Sequence, residues 1–286
     1  MRYRFIRAHT PQYPVTVLCY VLQVTRSGYY AWRRCPVSRR AQEDARLLIT
    51  IKKIHVASNK TYGSPRIHAE LRQQGAPCGR HHVARIMRAQ SVVGKHRRKY
   101  HPTTNSDHDL PVAENLLNRQ FTPARPNQAW VSDITYVPTH EGWLYLAGVM
   151  DLAFRGLVGW AMSERIDRKL VCAALTDALQ RRRPAPGLLH HSDRGCQYAS
   201  HDYQEMLRQH GIIPSMSRKG NCWDNAPMES FFHSLKVEWL HEQTFRTRAE
   251  ARQAIFTYIE VWYNRQRLHS ALGYRSPEAY ERLIAA

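Results

Sequence analysis

The sequence predicts an α+β protein, with an all-helical front, a mixed-sheet middle and a helical end. Three observations lead there. Residues 1–105 hold 21 Lys and Arg against Glu43, Asp44 and Glu70, a net +18, whereas residues 106–286 hold 21 against 20 acids. β-Patterned runs appear only after residue 128 and then give way to alternating helix and strand signals. Near the end, Ala254, Ile255, Tyr258, Ile259 and Trp262 recur at helical spacing.

In the front part, Val15–Leu22 is apolar enough for a buried helix. Residues 23–28 read as a turn, and Tyr29–Arg34 as a second helix with a basic end. Residues 36–40 read as a linker. Leu47, Leu48, Ile51, Ile54 and His55 then share one face of a helix over Glu43–Val56. Ser64-Pro65 reads as an N-cap followed by Pro in the first turn, opening a helix that Gly75 stops. Arg80–Arg88 is a third helix, with Val83, Ile86 and Met87 inward and Arg80, His81, Arg85 and Arg88 outward, which suits a helix laid in a DNA groove. A solvated basic face is the plainer alternative. Lys95–His101 is a dense basic run that includes Arg97, Arg98 and Lys99, suited to gripping phosphates.

Strands are expected at 129–137, 142–150 and 156–162, with turns at 138–141 and 151–155. A helix over Asp167–Arg181, a strand Leu188–Ser192, a helix Ser200–His210 and a strand Ile212–Met216 follow. Residues 248–263 form the last long helix.

Composition removes several function classes. Six cysteines at irregular spacing, with no C-x-x-C, argue against a zinc site and a disulfide scaffold and fit a reducing cytoplasm. No run approaches the roughly 20 apolar residues of a membrane span, and Pro14 breaks the one stretch that resembles a signal-peptide core. Concentrated positive charge then favours nucleic acid over a membrane surface.

Three acids stand in different settings: Asp133 inside a strand, Asp193 after one, and Glu229 opening a helix behind Pro227. Three converging carboxylates are costly without a cation, and Mg²⁺ prefers a few such oxygens. Thirty-five residues separate Asp193 from Glu229. The words around them are Trp130–Thr135 (W-x-x-D-I-T), His191–Tyr198 (H-S-D-x-G-x-Q-Y) and Gly220–Lys236 (G-x-x-x-D-N-A-x-x-E-S-F-F-x-x-L-K). Together they resemble the D-D-35-E signature of retroviral integrases and the related insertion-sequence transposases, specifically a second-reading-frame transposase. Tyr62-Gly63-x-x-Arg66-Ile67 is similar to that family's helix-turn-helix module, and Tyr263–Pro277 to its tail. Asp151 also follows a strand, but the family pattern does not use it.

The resemblance implies a ribonuclease-H-like catalytic core over 123–240, a DNA-binding helix-turn-helix module over 41–101 and a helical extension over 241–286; the residue pattern adds a helix-turn-helix-like segment over 1–40, for which an ordinary helical hairpin is an equal reading, and a linker over 102–122. It implies Asp133, Asp193 and Glu229 as catalytic and metal-binding residues for Mg²⁺, with Mn²⁺ as substitute and two ions in the site. The activity implied is cleavage at insertion-sequence ends and strand transfer by a DNA 3′-hydroxyl. The implied partners are terminal inverted repeats, target DNA, further copies of the chain and an upstream-frame protein carrying a helix-turn-helix and a leucine zipper. Residues 217–221 are expected as a basic loop over the site, with Lys219 toward DNA. Lys236 and His233, at i+7 and i+4 from Glu229, share its helix face and are expected to reach a phosphate; a surface ion pair is the alternative for Lys236. A hydrolytic Mg²⁺ nuclease of the same fold and a silent DNA-binding regulator remain open.

Each phosphate contact contributes about −0.9 to the slope of log K against log salt on duplex DNA. Removing residues 1–105 should flatten that slope by several units in filter-binding titrations. An unchanged slope would show that the basic third is not the grip.

Overall fold

The computed structural model describes residues 1–34, 37–95, 111–219 and 222–285, in two compact units, 1–94 and 95–286. Arg97, Arg98 and Lys99 lie outside the described residues. Within the described residues, no helix is long and apolar enough to cross a membrane.

The first unit is helical throughout. Helices α1 (Arg2–His9), α2 (Val15–Val21) and α3 (Arg26–Arg34) bury Ile6, Leu18, Cys19 and Tyr29 between them. The sequence reading did not anticipate α1, half of whose residues are basic and whose one buried residue is Ile6. Helix α3 starts before Tyr29, because the Thr25 hydroxyl accepts from the Gly28 N–H at 3.1 Å and caps it. Helices α4 (Arg39–Ala57), α5 (Ser64–Gln73) and α6 (Arg80–Ala89) pack on one another through Ile51, Ile54, Ile67, Leu71, Val83, Ile86 and Met87. Residues 39 and 40 are the first turn of α4 and not a linker, since the Ser38 hydroxyl caps the Ala41 N–H. Ser64 is likewise already helical; Gly63 holds the cap position and Pro65 the first turn.

The second unit is built on a five-stranded sheet in the order β3-β2-β1-β4-β5, comprising β1 (Ala129–Thr139), β2 (Gly142–Asp151), β3 (Leu157–Ser163), β4 (Leu189–Ser192) and β5 (Ile213–Met216). The first three strands are antiparallel; β4 and β5 run parallel to β1. Helix α7 (Arg168–Arg182), capped by Asp167, lies on β2 and β3, and α8 (His201–Gln209) follows β4. Gly159 permits the close approach of α7: a Cβ there would meet the Ala178 backbone N at 2.4 Å. The expected turn at 138–141 shrinks to His140 and Glu141, because β1 continues through Pro138. Proline is tolerated there because β4 pairs only with Ala129–Val131, so the missing N–H leaves no ladder bond unmade on that side.

Helix α9 (Ala226–Leu235) packs against β1 and runs into a π-helical segment, Lys236–Leu240. The expected helix over 248–263 is likewise divided, into α10 (Arg248–Phe256) and a π-helical Thr257–Tyr263. Its Asn264 side chain accepts from the Leu157 N–H and donates to the Leu157 carbonyl, both at 3.0 Å, covering the open edge of β3. A buried ion pair joins the first π segment to the chain just after the second. Arg267 donates to both Glu238 oxygens, at 2.7 and 2.6 Å, and the Tyr258 hydroxyl donates to the same carboxylate at 3.3 Å. Helix α11 (Pro277–Ala285) ends the chain's description.

Breaking a buried pair strands one charge, at a cost of about 3–5 kcal/mol. Arg267→Ala should therefore lower the urea stability by about that much, while Arg267→Met with Glu238→Leu should recover most of it. Equal losses in both proteins would show that the pair is not what joins the segments.

Candidate active site

Parallel pairing places Val131 of β1 opposite His191 of β4. Two residues further along each strand direction stand Asp133 and Asp193, so the register itself brings the two carboxylates together. Asp133 is half-buried, and its Oδ1 accepts from the Ile134 N–H at 2.7 Å. Burial pushes its carboxyl well above the usual range, and the Asp193 charge pushes it further. The Ile134 N–H opposes this, Glu229 adds to it, and Lys236 draws it back. Asp193 turns out of β4, its Oδ1 accepting from the Gly195 N–H at 2.9 Å.

Glu229 stands in the first turn of α9, where the helix dipole favours an acid. It is exposed, and partial desolvation raises its carboxyl. Two contacts seat α9 here. The Asn225 amide donates to the Ser132 carbonyl at 3.0 Å, one residue before Asp133. Gly148, opposite Asp133 in β2, leaves room for Met228, whose Cε would lie 3.1 Å from a Cβ there. Among the described residues, no three His, Cys, Asp or Glu side chains are gathered into a set that could by itself hold a metal ion. The structure thus brings Asp133 and Asp193 together and sets Glu229 apart from them, within electrostatic reach of Asp133.

Lys236 begins the π segment, and its Nζ lies 4.8 Å from the centre of the Tyr136 ring. It is half-buried, and desolvation lowers its ammonium while Asp133 raises it. The residue therefore sits beside the carboxylates, on a wider turn than the α-helical spacing gives. His233, in the last turn of α9, is half-buried. Lys219 is exposed in the loop after β5. In the first unit, Arg80, Arg85 and Arg88 are all exposed on α6, but Arg85 donates to Asp44 at 2.6 Å, and His82 is bonded to the same carboxylate at 2.5 Å.

The back wall is neutral. The His190 ring is bonded to the Ser132 hydroxyl at 2.8 Å and to the Tyr203 hydroxyl at 3.2 Å; the His191 ring lies between the Ser215 and Ser217 hydroxyls. Burial lowers these imidazoles to about 3 and about 4, so both are neutral at pH 7. Ser132 and His190 have the contact of a nucleophile and its base, but both are about 1% exposed and no substrate can reach them.

Asp151 and Asp224 are the other acids near the site. Asp151 accepts from the Asn127 N–H, the Ala153 N–H and the Trp130 indole, so the tryptophan of the first motif orders a turn. The sequence reading passed over Asp224. Its fully buried carboxylate accepts from Arg119, Asn115 and three donors of Arg218, and Arg218 holds it far below the usual range, with Arg119 assisting. Its signal was a lone acid just after the basic Arg218-Lys219 pair, inside a motif quoted only for Glu229.

Residues 123–222 match the integrase core domain family, residues 210–277 a second integrase core domain family, and residues 41–100 an HTH-like domain. The chain is 50% identical to an insertion element IS600 31 kDa protein of Shigella sonnei, over 92% of this chain and 97% of that one. It is 46% identical to the transposase InsF for insertion sequence IS3A of Escherichia coli, over 98% of each. Among solved structures it is similar to the HTLV-2 integrase catalytic core domain in complex with magnesium, at 15% identity and a TM-score of 0.43, over 55% of this chain and 97% of that one.

A carboxyl held low contributes stability above its unfolded value, near 3.8, and loses it as pH falls below that. Asp224→Asn should therefore cost about 3–5 kcal/mol at pH 7, and less at pH 3, in urea unfolding. A pH-independent cost would show that the ionised form is not what holds Arg218.

Proposed function

This chain belongs to the insertion-sequence transposases with an integrase core and acts in DNA transposition, and from that premise we propose that Asp133, Asp193 and Glu229 are its catalytic and metal-binding residues. The observation that carries this is the Asp133–Asp193 pair. Two carboxylates close enough for one to raise the other repel, and a cation or a proton relieves that repulsion. All the donors are hard oxygens, which fits Mg²⁺, with Mn²⁺ as substitute. Glu229 is the third ligand, carried on an exposed side chain that completes the set when cation and DNA are present. Two divalent ions held there would stabilise the entering and leaving oxygens of an in-line phosphoryl displacement.

The chain's own groups do the rest. Water, or a DNA 3′-hydroxyl, attacks the backbone phosphorus opposite the leaving 3′-oxygen, so the bond that forms and the one that breaks lie in line. The Lys236 ammonium, seated beside Asp133, meets a phosphate oxygen at the reacting centre, and His233 and Lys219 meet phosphates on either side. The neutral, enclosed His190 and His191 support the strands and take no part in proton transfer to the substrate. Arg80, Arg85 and Arg88 are phosphate contacts of the helix-turn-helix module, and Arg97, Arg98 and Lys99 extend them. Arg85 leaves Asp44 to do so, which makes it the weakest of the three. The chain works in the cytoplasm as a homo-oligomer on terminal repeats and target DNA, with an upstream-frame helix-turn-helix and zipper protein as further partner.

Asp133→Asn, Asp193→Asn and Glu229→Gln should each abolish cleavage and joining of labelled insertion-sequence ends while leaving DNA binding nearly intact. Double variants should be little worse than singles, since residues acting as one unit are non-additive. Ca²⁺ should support binding without turnover. Near-normal joining by Asp193→Asn would overturn the assignment, and cleavage without any joining by the wild type would favour the hydrolytic reading.

A further inference from the structure

Two buried polar atoms near the carboxylate pair have no hydrogen-bond partner among the described residues: the Tyr198 hydroxyl and Asn225 Oδ1. Tyr198 is 1% exposed and Asn225 5%. Buried polar groups are almost always paired, because an unmade bond costs about 1–3 kcal/mol. Both residues are fixed by their surroundings. Tyr198 follows Asp193 by five residues, its N–H donates to the Gly195 carbonyl at 2.9 Å, and its ring meets that of Tyr203 edge-on, with centroids 5.3 Å apart. Tyr203 is itself satisfied by His190. Burial, then Tyr203, and after them Asp133 and Asp193 hold the Tyr198 phenol up as a neutral donor, so both carboxylates are within electrostatic reach of it. The Asn225 amide is oriented by its bond to the Ser132 carbonyl, which leaves the oxygen as the unmatched atom.

The two orphans have opposite polarity, one a donor and the other an acceptor. A bare cation could meet Asn225 Oδ1 but offers no acceptor to the Tyr198 O–H. A hydrated one satisfies both, because its waters donate outward and its carboxylate ligands accept. We propose that Tyr198 and Asn225 are positioning residues for a hydrated divalent cation on the Asp133–Asp193 pair, the Tyr198 hydroxyl donating to a carboxylate oxygen and Asn225 Oδ1 accepting from a cation-bound water. The proposal rests on the metal-site reading above. Outer partners of this kind fix ligand orientation, and losing one typically costs 10–100-fold in metal affinity.

The test is Mn²⁺ binding to the full-length protein without DNA, by calorimetry, alongside urea unfolding in EDTA. Tyr198→Phe removes only the hydroxyl. It should weaken Mn²⁺ about tenfold or more and leave the EDTA midpoint unchanged or raised, since an unpaired buried group is gone. Asn225→Ala should weaken Mn²⁺ similarly; if it fails to fold without its Ser132 bond, Tyr198→Phe decides alone. A Tyr198→Phe protein with wild-type Mn²⁺ affinity overturns the inference, as does one whose only change is a lower EDTA midpoint, the mark of a purely structural hydroxyl. Asp193→Asn separates the two levels. If it binds Mn²⁺ like wild type, or if wild type does not bind Mn²⁺, the metal-site reading itself falls. If it loses Mn²⁺ while Tyr198→Phe keeps it, only the present inference falls.

Discussion

Like-charge repulsion between Asp133 and Asp193 is the constraint around which the second unit is arranged. The parallel register of β1 and β4 forces the two carboxylates together, and a fold left to minimise its own energy would not choose this. Everything near the pair is arranged to hold it. Backbone N–H groups of Ile134 and Gly195 fix one oxygen on each acid, and the wall behind them is built from neutral imidazoles and hydroxyls. Strain of this kind, kept in place by a well-satisfied frame, is expected where a protein prepares for a cationic ligand.

The frame depends on other acids with the opposite character. Asp151 is met by three N–H donors, Asp224 by two arginines and an asparagine, and Glu238 by Arg267 and Tyr258. Each ties segments distant in sequence: the turn before β1 to the end of β2, the residue 115–119 stretch to the loop after β5, and the π segment after α9 to the chain's tail. Residues of the tail are therefore internal fasteners. Asn264 covers the sheet edge, and Arg267 locks the chain just after the second π segment to the first.

The helical positions of Lys236 and Glu229 show how far local spacing carries. Counting at 3.6 residues per turn puts Glu229, His233 and Lys236 on one face. The π segment that begins at Lys236 widens the turn, and Lys236 lies against Tyr136 and feels Asp133. Within that same segment Glu238 meets Arg267, a contact no local spacing foretells. Ser64 teaches the same lesson on a smaller scale. Ser-Pro is a good helix start on local grounds, yet Gly63 takes the cap and Ser64 joins the helix.

By itself the sequence determined the helical front, the three antiparallel strands and the alternation that follows, because amphipathic period and turn chemistry are properties of neighbouring residues. Which acids would be neutralised and which would face one another was decided only by tertiary structure. Asp133 lies inside β1, Asp151 ends β2 and Asp224 stands just before α9, yet nothing in the neighbouring residues says which of them will be neutralised. Apart from the backbone N–H groups of Ile134 and Ala153 and from Arg218, six residues before Asp224, their partners lie between 21 and 109 residues away in the chain. Electrostatic environment depends on distance in space, and strand order β2-β1-β4 sets that distance.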